Sequence, residues 1–102
     1  MNNATALCFE ALGDPVRRQL FEKLSRRAYP VGELAVGFPI SRPAISQHLK
    51  VLKIAGLVKS HKQGTRRLYA VDMEGIQIMR AYLDRSWDQA LTSFKDYVEK
   101  GR

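Results

Sequence analysis

Residues 41–58, SRPAISQHLKVLKIAGLV, decide the fold of this chain. The apolar residues in this stretch recur three and four positions apart, which predicts an α-helix with one buried face formed by Ile45, Leu49 and Leu52. Ser41 is a favourable N-cap because its hydroxyl can accept a hydrogen bond from a first-turn amide. Gly56 suits the left-handed position that ends many helices. We therefore predict a helix over residues 41–55.

A shorter helical segment precedes this helix. Pro30 can open it, with Val31 and Leu34 facing inward, and residues 37–40 (Gly-Phe-Pro-Ile) are typical of a tight turn. A short helix, a turn and a longer helix make a helix-turn-helix, in which the second helix enters the major groove of DNA. Helix 41–55 is therefore the predicted reader helix.

Two further helices are predicted before this unit. Apolar residues at helical spacing favour a short helix over residues 4–12, closed by Gly13. Asp14 is a good N-cap for a second helix that extends to about Arg26, with apolar residues opposite charged ones.

A hairpin and a long helix are predicted after the reader helix. Strand-like runs at residues 57–62 and 66–71 are joined by Gln63, Gly64 and Thr65, and the glycine suits a hairpin turn. From Met73 onward apolar residues step by three or four, which indicates one long amphipathic helix. The predicted fold is mainly α with a small β-hairpin, a winged helix-turn-helix ordered helix-helix-helix-helix-hairpin-helix, forming a single domain over residues 1–102.

The charge of the chain is concentrated in one segment. Residues 34–71 contain no Asp or Glu, and their seven basic residues equal the whole formal net charge of +7, because ten basic residues balance ten acidic ones elsewhere. These seven are Arg42, Lys50, Lys53, Lys59, Lys62, Arg66 and Arg67. Because clustered cations repel one another, their segregation favours a polyanionic partner, most commonly nucleic acid. A basic face that contacts only solvent is the alternative interpretation.

The outward face of helix 41–55 is the predicted DNA-reading surface. Side chains such as Arg and Gln near the start of a helix can make paired hydrogen bonds with base edges, so we assign base-edge contacts to Arg42, Ser46 and Gln47. Phosphate contacts are assigned to the residues better suited to backbone oxygens, namely Ser41, Lys50 and Lys53, together with Lys62, Arg66 and Arg67 on the wing over residues 57–71. Basic hairpins can also serve only to prevent edge-to-edge strand pairing.

The last helix carries an apolar stripe wider than one small domain can cover. Such a helix usually pairs with a partner, and two-fold homodimers are the commonest assemblies. We predict a dimer interface formed by Leu7, Leu83, Trp87, Leu91, Phe94 and Val98. Packing of the same stripe onto the first helix is the alternative, and the two are compatible.

Other classes of protein receive little support from the sequence. It has no phosphate loop, nucleophile-base pair or metal-ligand spacing, so we predict no enzyme activity, metal or cofactor. The single cysteine, Cys8, is interpreted as a small core residue, His48 as a packed imidazole and His61 as a strand surface residue. With neither a signal-like start nor an apolar run long enough for a membrane span, the expected location is cytoplasmic.

Three motifs in this order resemble the ArsR-type winged helix-turn-helix regulators of bacteria and archaea. FEALGDPVRRQLFEKL at residues 9–24 resembles the opening pattern ALxDPxRRxILxxL of the family. SRPAISQHLKVLKIAGLV at 41–58 resembles SQPxVSxHLxxLxxAGLV, and GTRRLYAV at 64–71 resembles the wing.

The resemblance implies a dimeric repressor, often of its own gene. Its reader helices would occupy successive major grooves about 34 Å apart on a near-palindromic operator in double-stranded DNA. Metal-sensing members carry a cysteine pair in the third helix or His and Asp ligands in the last one. Here residues 33–37 read Glu-Leu-Ala-Val-Gly and the last helix has no histidine, so the resemblance implies the metal-free version, with an unknown effector.

Two alternatives stay open at this point. The first is a DNA-associated protein that binds phosphates generally and has no operator. The second is an enzyme or metal-responsive sensor, for which the sequence offers no residues.

Overall fold

A computed structural model describes residues 1–101 and shows five helices and a small sheet within that range. The helices are α1 (Asn3–Ala11), α2 (Pro15–Leu24), α3 (Val31–Leu34), α4 (Arg42–Ile54) and α5 (Met73–Lys100). The strands are β1 (Tyr29–Pro30), β2 (Val58–Gln63) and β3 (Arg66–Val71). The winged helix-turn-helix order predicted from the sequence is confirmed.

The first two helices are joined by a reciprocal set of caps. The carboxylate of Asp14 accepts a hydrogen bond from the amide of Arg17 at 3.0 Å and so begins α2. The Arg17 and Arg18 guanidinium groups in turn donate to the carbonyls of Ala11 at 2.6 Å and Leu12 at 2.8 Å, where α1 ends. Arg17 and Arg18 therefore satisfy the carbonyls at the end of α1. Helix α2 ends at Leu24, slightly before the predicted Arg26.

One hydrophobic core lies beneath the reader helix. Ile45, Leu49 and Leu52 of α4 are at most 1% exposed and pack with leucines of α2 and α3. Cys8 is also buried, as predicted, and its thiol donates to the Ala55 carbonyl at 3.3 Å. Because burial raises the pKa of this thiol, the reactive thiolate is disfavoured.

The sheet differs from the predicted hairpin in two ways. A third strand, β1, pairs with β3 through the positions Tyr29↔Tyr69 and Pro30↔Leu68, which gives the order β1-β3-β2. Gln63 was predicted in the loop but pairs with Arg66, so the turn is only Gly64-Thr65. Gly64 has a φ of +64°, which is the reason a glycine begins this two-residue turn.

The long helix α5 follows the wing without a linker. Asp72 caps it by accepting from the amide of Glu74 at 3.0 Å. Its first turns pack on α1, where Tyr82 meets Phe9 edge-to-face with ring centroids 5.5 Å apart. Its second half extends beyond the core, and the molecule is accordingly elongated, with extents of 65 × 26 × 24 Å.

Candidate nucleic-acid interface

The face of α4 opposite its core residues is exposed, and it is polar except for Pro43 in the first turn and Ile54 in the last. Ser46, Gln47 and Lys50 are exposed on this face. Ser41 precedes the helix as its N-cap, and its hydroxyl accepts a hydrogen bond from the Ala44 amide at 3.3 Å. The sequence of α4 includes no acidic residue. A helix with this face can approach a polyanion without like-charge repulsion.

Arg42, the first residue of α4, lies beside α3. A Cβ built on Gly32 would be 3.3 Å from Nη2 of Arg42, so the guanidinium rests close to the Gly32 backbone. Together with Arg66 and Arg67 it borders a cavity between α3 and the wing. Of the three predicted base-edge residues, Arg42 is thus the one that the structure groups with wing arginines.

The wing places two cations directly opposite each other. Lys62 on β2 pairs in register with Arg67 on β3, and both are exposed near the turn. Like charges at such a cross-strand pair destabilise a hairpin. The arrangement favours an external anion that would relieve the repulsion.

Ser60 connects the wing to the reader helix. Its hydroxyl oxygen accepts a hydrogen bond from Lys53 Nζ at 2.9 Å and from Arg67 Nη1 at 3.1 Å. Sequence reasoning missed this residue because only the register of β2 against β3 places it next to both cations. The contact fixes one basic residue of α4 and one of the wing on the same side of the sheet.

Glu33 is the acidic residue at the edge of this basic surface. Its two carboxylate oxygens lie 3.7 Å from Arg66 Nη1 and 3.7 Å from Arg27 Nη2, and all three side chains are more than half exposed. Exposed pairs at this distance contribute little to stability. Glu33 was not predicted as a residue of this surface, although its position immediately before the acid-free segment was a visible signal.

Lys23 has a structural role that its charge alone would not reveal. Its Nζ donates to the carbonyls of Glu33 at 3.0 Å, Leu34 at 3.2 Å and Val36 at 3.3 Å, and so satisfies the end of α3. It also lies 5.1 Å from the Tyr29 ring centroid. This cation therefore braces the helix-turn-helix.

Five of the six predicted dimer residues form an exposed row on α5. Trp87 is 66% exposed and Phe94 61%, and the row continues through Leu83, Leu91 and Val98. Leu7, the sixth, is half-buried and packs against the core from α1.

The histidines lie on separate elements. His48 is partly buried, with Nδ1 3.9 Å from the Asp14 carboxylate, and His61 is exposed on β2. Within residues 1–101, no group of three His, Cys, Asp or Glu side chains is placed to hold a metal ion. Over the same residues, none of the helices combines the length and apolar character that a membrane crossing requires.

Comparison with known proteins identifies a family of regulators. Residues 14–60 match the family model for bacterial regulatory proteins of the arsR family. The chain is 47% identical over 91 residues to the HTH-type transcriptional regulator Rv2034 of Mycobacterium tuberculosis, covering 89% of this chain and 85% of that protein. It is 35% identical over 77 residues to the transcriptional repressor SdpR of Bacillus subtilis, covering 76% and 81% of the two chains.

The fold comparison agrees. An ArsR-like transcriptional regulator from Rhodococcus sp. RHA1 superimposes with a TM-score of 0.77 at 32% identity, covering 91% of each chain. The family is one of transcriptional regulators and not of enzymes. The chain belongs to the ArsR family of DNA-binding transcriptional regulators.

Proposed function

We propose that the protein is a homodimeric repressor that binds a near-palindromic operator in double-stranded DNA. The observation that carries this proposal is the acid-free surface shared by α4 and the wing, on which Ser60 ties Lys53 to Arg67. Each chain acts as one domain over residues 1–102. Its site of action is the chromosome, in the cytoplasm.

The outward face of α4 would enter the major groove. We assign base-edge contacts to Ser46 and Gln47, because polar side chains on the outward face of an inserted helix can hydrogen-bond with base edges. The residues assigned to backbone phosphates are Ser41, Lys50, Lys53, Lys62, Arg66 and Arg67. Those contacts set the position of the protein on the duplex without carrying sequence information.

The exposed row on α5 supports the dimer. A continuous stripe of exposed large apolar side chains usually marks a surface that a partner covers. In a two-fold dimer the same stripe on the second chain can be that partner. Pairing of two chains through α5 would present two reader helices to one face of the duplex. The similarity to a transcriptional repressor supports repression, which follows if the bound dimer occludes the promoter.

Fluorescence anisotropy with a duplex from upstream of the protein's own gene tests this function. An unrelated duplex of the same length is the control, and each is titrated at two salt concentrations. We expect binding to the first duplex to be at least about 10³-fold tighter, because operator recognition adds base contacts to the general phosphate attraction.

Equal binding of both duplexes, with a steep dependence on salt, would contradict an operator. That result would instead support a DNA-associated protein that binds phosphates generally.

A further inference from the structure

An open cleft lies between α3 and the wing. It has a volume of about 450 Å³. The polar side chains that line it are Glu33, Arg42, Thr65, Arg66 and Arg67. The cleft therefore joins the first residue of the reader helix to the tip of the wing.

The cleft carries a net positive charge. Three guanidinium groups and one carboxylate line it, which gives three minus one, or +2. The carboxylate of Glu33 is shared between Arg66, at 3.7 Å, and Arg27, at 3.7 Å, so it neutralises only part of this charge. Arg67 uses one nitrogen, Nη1, to donate to Ser60, and a guanidinium has further donors available.

The guanidinium of Arg42 lies close to Gly32 on one wall of the cleft. A Cβ built on Gly32 would stand 3.3 Å from Nη2 of Arg42, which is a close contact between the end of this side chain and α3. Arg42 lines the same cleft as Arg66 and Arg67, although it lies 24 positions before Arg66 in the sequence.

We infer that Arg42, Arg66 and Arg67 form an oxyanion site that binds a phosphate group. Guanidinium groups match phosphate oxygens with paired hydrogen bonds, and several around one cleft can hold a single tetrahedral anion. The inference rests on the proposed function and deepens it: the ligand is a phosphodiester of the DNA backbone, and Arg42 positions the reader helix instead of reading a base. A free phosphate has the same chemistry and is the other possible source of the oxyanion.

Substitution of Arg42 by Ala tests the assignment through the salt dependence of binding. We expect affinity to fall about tenfold on the upstream and the unrelated duplex alike, because a charge-assisted contact common to all DNA is lost. The slope of log affinity against log salt should decrease in magnitude by about one. Lys95→Ala, on the exposed end of α5, removes one positive charge outside the cleft and controls for net charge.

Gln47→Ala separates this inference from the proposed function. If the wild type prefers the upstream duplex and Gln47→Ala does not, recognition of an operator is supported whatever the result for Arg42→Ala. Failure of the wild type to bind either duplex would instead reject the proposed function.

Glu33→Gln should change the DNA affinity in the opposite direction from Arg42→Ala. Removing the carboxylate raises the positive charge of the cleft, so binding to both duplexes should tighten several-fold and the salt slope should steepen. Glu22→Gln, on the exposed surface of α2, is the matched control and should change binding less.

Inorganic phosphate distinguishes the two sources of the oxyanion. Arginine Nε–H signals are followed by NMR as phosphate is added at constant ionic strength. A saturable shift at Arg42, Arg66 and Arg67, with Arg42→Ala leaving DNA binding unchanged, would assign the site to free phosphate. Two results would overturn the inference. In the first, Arg42→Ala loses discrimination at a single base pair while the salt slope stays unchanged. In the second, Arg42→Ala changes neither DNA binding nor phosphate binding.

Discussion

The carboxylate of Asp14, which lies between α1 and α2, makes the stability of the fold depend on pH. This carboxylate accepts from the Arg17 amide, and this hydrogen bond lowers its pKa below the ordinary value, with smaller help from the charges of His48 and Arg17. The ionised form is therefore the one that the native state prefers. Its stabilising contribution is fully present above the pKa of Asp in the unfolded chain and is lost as pH falls through the lower native pKa.

Asp14→Asn should flatten the acid side of the stability profile. An Asn side chain still caps a helix but does not titrate, so the variant should lose less stability than the wild type when the pH falls from 7 towards 3. Urea unfolding followed by circular dichroism at several pH values measures this. Asp96→Asn on the exposed end of α5 controls for the removal of one carboxylate. Parallel acid profiles for wild type and Asp14→Asn would refute the role of the cap.

At the scale of elements, the contact between the end of α4 and the start of α5 holds the reader helix in place. The Gly75 amide donates to the Gly56 carbonyl at 2.9 Å, and Cys8 donates to the neighbouring Ala55 carbonyl. A Cβ on Gly75 would lie 2.6 Å from that Gly56 oxygen and 2.9 Å from Leu57. Position 75 therefore requires glycine for space and not for backbone conformation.

Gly75→Ala should destabilise the fold by about 1–3 kcal/mol, the usual cost of forcing atoms into a packed contact. Alanine is the better helix former by about 1 kcal/mol, so a net loss would show that the steric clash dominates. Thermal unfolding measures the change, with Gln77→Ala on the exposed side of the same helix as control. An unchanged or higher Tm would show that the two helices can separate without cost.

The sequence predicts the features that depend on residues close together in the chain. The caps Ser41 and Asp14 and the buried row on α4 depend on neighbours in the chain, and all were predicted. Strand β1 was missed because two residues, one of them proline, have no periodicity and are held only by pairing with β3. The grouping of Arg42 with the wing arginines was not predictable, since it depends on how α3 packs beside the sheet.

At the scale of the whole molecule, α5 is the feature that the core leaves uncovered. A 28-residue helix is about 42 Å long, and its N-terminal part packs against α1 and the core. Leu83, Trp87 and Leu91 lie on a face that this packing leaves open, and each is more than half exposed. A second α5 would remove this row from water, which is the physical argument for the proposed dimer.

Trp87→Glu should dissociate the dimer, because it would place a carboxylate in the centre of the apolar interface. Sedimentation at micromolar concentration should show the wild type at twice the mass of the 11.6 kDa chain and the variant at the single mass, with operator affinity falling accordingly. Gln89→Glu adds a charge on another face of α5 and should leave the dimer intact. A wild-type monomer under these conditions would contradict the proposed assembly.

The central claim is that α4 recognises an operator, and hydroxyl-radical footprinting of the region upstream of the protein's own gene tests it most directly. We predict two protected tracts about 10 base pairs apart, related by a near-palindrome, with protection lost in Gln47→Ala at concentrations that saturate the wild type. Even protection along the duplex, equal for wild type and variant, would contradict it.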